Sequence, residues 1–125
     1  MRKITLLSLL AVALVSFPAL AQSRTKARIH ADSERIASLL HDVAAKDITV
    51  GEAGWKTIAN EANTLANRIY GYTAGNKAAR ALAGDLRMHV REMRKAARAR
   101  NAAEARMHAR EALPFATKLI DWSAS

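Results

Sequence analysis

Trp55, Ile58, Ala62, Leu65 and Ile69 follow one another at intervals of 3, 4, 3 and 4 residues. At 3.6 residues per turn, that spacing lines one face of an α-helix. A strand, with a period of two, would scatter the same residues over both faces. An apolar stripe of this kind has to be buried against other helices, and its 3-4 step is the one antiparallel bundles use.

The rest of the chain reads the same way. Alanine is abundant, β-branched runs are absent, and Pro114 is the only proline after residue 21, all of which favours helix. Helix 1 is expected over about 25–46, with Ile29, Ile36, Leu40 and Val43 in a narrow arc. Residues 47–51 (DITVG) break it, and Thr49 with Glu52 fits a capping box opening helix 2, over about 50–69. The stretch YGYTAGN at 70–76 is a loop whose last residue, Asn76, can cap helix 3. Helix 3, about 77–99, carries Ala79, Leu82, Leu86, Val90, Met93 and Ala97 on one face. Asn101 and Glu104 form a second capping box, with one long bent helix as the alternative. Helix 4, about 102–122, turns Ala102, Ala105, Ala109, Ala112, Leu113, Ala116 and Ile120 inward. Pro114 predicts a kink or a fresh start after Leu113, because its ring clashes with the Arg110 carbonyl in a straight helix. The expectation is an all-α, up-down four-helix bundle in which the alanine-rich helices 3 and 4 pack closely or need apolar cover from a partner.

The first 21 residues, MRKITLLSLLAVALVSFPALA, have the parts of a secretory signal. Arg2 and Lys3 are the basic start, Ile4 to Phe17 is mostly apolar, and Ala19 and Ala21 supply small residues for a cut before Gln22. The alternative is an uncleaved anchor, for which the apolar run is short. The chain contains no cysteine, which excludes disulfides, thiolate metal sites, covalent c-type haem and a cysteine-linked lipid. The reading is a bacterial protein of the periplasm or the exterior, its single domain spanning residues 22–125.

Charge is distributed unevenly. The whole chain carries a formal charge of +9. Residues 77–110 hold ten basic and three acidic side chains and so net +7, while the remainder after residue 21 nets zero. Arg87, Arg91, Arg94 and Arg98 step by 4-3-4 along helix 3, and Arg106 and Arg110 extend the ridge onto helix 4. Guanidinium groups read phosphate and carboxylate in a bidentate manner. With export in view, an anionic lipid headgroup, a polyanion or an acidic protein is the expected partner ahead of nucleic acid. A homodimer through alanine-rich or aromatic faces is a further expectation, and Phe115 and Trp122 lie off the helix 4 stripe as covers for the bundle end.

Two near-copies, RMHVRE at 87–92 and RMHARE at 106–111, raise the one question of chemistry. Adjacent helical residues point about 100° apart, so Met and His of one pair cannot both face inward. Met88 and Met107 fall opposite the core, and His89 and His108 fall on its flanks. With the turn near 100–101, His108 comes level with Met93, and the two histidines are offset by about 6 Å at ~1.5 Å rise per residue. A His108–Met93 pair, or His89, is the candidate for a soft ion or haem iron; no HExxH or paired ExxH motif occurs. Ser33 and Ser38 have histidines and acids nearby in sequence, which makes no triad, and a non-enzymatic role is expected. In outline the chain resembles small exported four-helix bundles, among them the b-type cytochromes of that shape. Those hold haem with a methionine near the start of helix 1 and a histidine near the end of helix 4. Here helix 1 lacks methionine and His108 lies early in helix 4.

Overall fold

The computed structural model describes the backbone of residues 2–45 and 53–125, with side chains from residue 23 onward in those ranges except residue 53. The Thr49–Glu52 box lies outside the described residues. Four helices make up the fold: α1 (Arg2–Ala45), α2 (Ala53–Tyr72), α3 (Lys77–Arg98) and α4 (Ala102–Ala124). Each packs against two others in the cycle α1–α2–α3–α4–α1, and among the described residues the diagonal pairs do not touch. That ring is the cross-section of an up-down four-helix bundle. Among the residues whose side chains are described, no helix is long and apolar enough to cross a membrane.

The predicted stripes meet at the centre. Ile29, Ile36, Leu40, Val43, Trp55, Ala62, Leu65 and Ile69 are all buried, joined by Leu39, Ala59 and Ala66. On α3 the buried line is Ala79, Ala83, Leu86, Val90, Met93 and Ala96, so the face is turned slightly from the expected one. Leu82 and Ala97 pack on the core from its edge. On α4 the line is Ala105, Ala109, Ala112, Ala116 and Leu119, with Leu113 packed at the edge and Ile120 half-buried. Most of these positions are alanine, and small side chains bring helix axes together. Among the described residues, α3 against α4 is the most extensive contact and α1 against α2 the least.

Three local features depart from expectation or sharpen it. First, α4 runs unbroken through Pro114 instead of restarting after Leu113. Buried alanines and Leu119 lie on both sides of the proline, and packing against α1 and α3 offsets a cost of about 3 kcal/mol. Second, α2 extends to Tyr72, so the loop shrinks to residues 73–76; the Asn76 side chain accepts from the Ala79 N–H at 3.0 Å, as its cap role requires. Third, a tight break, not one long helix, separates α3 from α4. Arg100 N–H donates to the Ala97 carbonyl and Asn101 N–H to the Ala96 carbonyl, at 3.1 and 2.9 Å, and Arg100 has φ 58°. This is a Schellman closure with arginine where glycine is usual. Asn101 Oδ1 then accepts from Glu104 N–H at 3.1 Å, while its amide donates to Glu104 Oε2 at 3.0 Å. The acid therefore grips the cap's side chain; the cap's own N–H is already spent on Ala96.

Candidate metal centre

The sharp turn at 99–101 sets the register of the α3–α4 hairpin. His89, about eleven residues before the turn, lies alongside Glu111, about ten after it. His89 Nδ1 is 3.3 Å from Glu111 Oε2. The same oxygen lies 3.7 Å from His108 Nδ1, one helical turn back on α4. The two imidazole centroids are 6.4 Å apart. The Glu111 carboxylate oxygen lies within reach of both rings.

One ligand atom from each of His89, His108 and Glu111 lies within 4.8 Å of the other two. A tetrahedral ion with bonds of about 2.0–2.2 Å sets its ligand atoms about 3.3–3.6 Å apart. Two of the measured separations, 3.3 and 3.7 Å, already lie at or next to that range. The third lies within 4.8 Å. The site is formed at the edge of the core: the His89 and His108 side chains are 20% and 15% exposed, and Glu111 is 47% exposed. His108 Nδ1 is itself buried, and no hydrogen bond reaches it. The Glu111 oxygen facing this nitrogen stands just beyond hydrogen-bond distance. His89 is held from its other side by Phe115, whose ring stacks on it at 5.6 Å and 14°. Phe115 thus walls this site and does not cover the bundle end; Lys118 sits over the ring's other surroundings at 5.7 Å.

Of the residues expected to hold a metal, His89 and His108 come together. Met93 is fully enclosed in the core, where the α3 stripe puts it. Glu111 takes the third place. The hairpin register that levels His108 with Met93 also levels His89 with Glu111, so this ligand was open to sequence reasoning once carboxylates were tried as well as methionines. Met88 and Met107 are 51% and 43% exposed and face outward, as expected. The other two histidines are elsewhere. His30 is engaged by Ser123 Oγ at 2.9 Å and Glu34 Oε1 at 2.8 Å, and His41 is exposed.

The arginines of the expected ridge divide. Arg87 lies 3.8 Å from the centroid of the Tyr70 ring, which Arg80 approaches at 4.1 Å. Arg94 donates from Nε to Asn60 Oδ1 at 3.0 Å. These two are turned toward α2. Arg91, Arg98 and Arg110 are exposed, and Arg106 is half-buried. Trp122 is half-buried with the Lys26 ammonium 4.9 Å above its ring. Comparison with known proteins finds no family model, no curated protein and no solved structure that matches this chain.

Proposed function

We propose that this is a metal-binding helical bundle whose α3–α4 hairpin takes a divalent first-row transition ion through His89, His108 and Glu111. The observation that carries the reading is the buried, unpartnered His108 Nδ1 facing the oxygen that also meets His89. Two imidazoles and a carboxylate suit Zn²⁺, Fe²⁺, Ni²⁺ and Cu²⁺, and not the thioether-rich site a soft ion would take. Three protein ligands leave a coordination position for water, as in open zinc sites. Haem is the weaker form of the same idea, because the carboxylate occupies the space between the two rings where a porphyrin iron would stand. The signal-like start supports ion binding outside the cytoplasm.

The test is calorimetric titration of the purified full chain with Zn²⁺ and Cu²⁺, beside a haemin titration read in the Soret region. One ion per chain, lost in Glu111→Ala, is the expected result. A Soret band with haemin and no binding of either ion would overturn the reading in favour of haem.

A second reading rests on the exposure of Arg91, Arg98 and Arg110 within a stretch that nets +7. Here the hairpin's outer surface contacts an anionic partner such as a lipid headgroup or an acidic protein. Reversal of these three arginines to glutamate would abolish salt-sensitive binding to anionic vesicles. Binding unchanged by the reversal would remove the arginines from the account.

A further inference from the structure

The metal centre has a feature that its three ligands do not explain. His108 has a second ring nitrogen, Nε2, and it does not point into solvent alone: Glu104 Oε1 lies 3.9 Å away, one turn earlier on the same helix. The other oxygen of that carboxylate, Oε2, is fixed at 3.0 Å by the side-chain amide of Asn101. Glu104 is thus held by the cap that starts α4. It lies in the first helical turn, where the helix N-terminus favours a negative charge. An imidazole that ligates a metal through one nitrogen keeps a proton on the other, and a carboxylate accepting that proton fixes the ring's orientation and makes the ligating nitrogen a better donor.

We infer that Glu104 is the positioning residue of the metal centre. It accepts from His108 Nε2–H and so directs the Nδ1 lone pair to the ion shared with His89 and Glu111. The inference rests on the proposed metal binding. It adds a connected line running from Asn101 through Glu104 and His108 to the ion, so that the helix cap and the ligand set form one unit. The separation of 3.9 Å is longer than a hydrogen bond, and the inference requires that it shorten when the ion is bound. The arrangement also accounts for the unusual form of the capping box, in which Glu104 is gripped by the Asn101 amide and leaves its second oxygen for the histidine.

The experiment measures Zn²⁺ affinity, by competition with a chromophoric chelator, for the full chain and for Glu104→Gln, Glu104→Ala and His108→Ala. It is run well below the melting temperature of each. Glu104→Ala should weaken binding by about 10- to 100-fold, and Glu104→Gln, which keeps an acceptor without the charge, by less. In the Zn²⁺-bound wild type, His108 should show an Nε2–H proton protected from exchange, and Glu104→Ala should lose it. A purely capping role would lower the melting temperature of Glu104→Ala but leave both the affinity and that proton unchanged; this result overturns the inference while the metal reading stands. Failure of the wild-type chain itself to bind Zn²⁺ overturns both, and that arm is read before any variant.

Discussion

The α1–α2 and α3–α4 seams of this bundle solve the same packing problem with different materials. Between α1 and α2 the core is built of large side chains, Ile36, Leu39, Leu40, Trp55 and Leu65 among them. The charges along its edge are closed into pairs. Arg68 grips Asp32 with two hydrogen bonds of 2.8 and 2.6 Å, and Arg35 meets Glu61 at 2.9 Å. The hydrogen bond and charge of Asp32 hold the Arg68 guanidinium above its usual pKa. Between α3 and α4 the α4 side of the contact is made mostly by alanines, and at its edge the Glu111 carboxylate is approached by one imidazole from each helix, at 3.3 and 3.7 Å. In the first seam each acid is taken up by a guanidinium, whereas the second gathers two imidazoles and a carboxylate, the donor set on which the proposed ion binding rests.

The comparison can be broken at its strongest point by removing a ligand. His89→Ala and His108→Ala should each lower Zn²⁺ affinity by on the order of 100-fold or more, since loss of a ligand exceeds the effect of its supports. His30→Ala and His41→Ala should leave the affinity unchanged. Because an imidazole must be unprotonated to ligate, affinity should also fall as the pH is lowered, with protons released on binding. Calorimetry in buffers of differing ionisation enthalpy checks both points.

Packing gives the next largest effect. Ala109→Leu forces three more carbons into the close seam and should cost about 1–3 kcal/mol in urea unfolding. It should also weaken metal binding by spreading His89 from Glu111. Arg100→Gly should act in the opposite direction. It relieves a positive-φ arginine at the hairpin turn and should stabilise the fold by about 1 kcal/mol, with the ligand register unchanged. The smallest effect belongs to the other seam. Asp32→Asn opens the bidentate pair with Arg68, whose guanidinium is largely in solvent, and should cost about 1 kcal/mol or less, diminishing with added salt. Its Zn²⁺ affinity should equal that of the wild type. A loss there comparable to the loss in His108→Ala would erase the distinction between the seams.

The bundle was readable because its information is local and periodic. The stripe from Trp55 to Ile69, the Asn76 and Asn101 caps and the break near residue 100 each follow from spacing along one helix. Where periodicity is ambiguous the reading slipped. The α3 face includes Ala83 and Ala96 because alanine carries little hydrophobic signal to weigh against Leu82. Pro114 sits inside α4 because tertiary packing outweighs a local preference. The site was half legible. His89 and His108 stood out through the repeated RMH motif, and the outward Met88 and Met107 were correctly separated from them. Glu111 is the last letter of the second copy, RMHARE, yet its role depends on a partner on another helix, which only the register across the turn reveals. Its counterpart in the first copy, Glu92, pairs with Lys95 at 3.3 Å and takes no part. Near-identical motifs thus differ in their contacts because the two helices present them to different neighbours.

The central claim is that two of the four histidines share one ion and the other two do not. Nitrogen-15 NMR of the imidazole rings during Zn²⁺ titration of the full chain tests it most directly. The account predicts that the Nδ1 resonances of His89 and His108 shift together and saturate at one ion per chain, with His30 and His41 unmoved. Equal shifts at all four histidines, or none at His108, would contradict it.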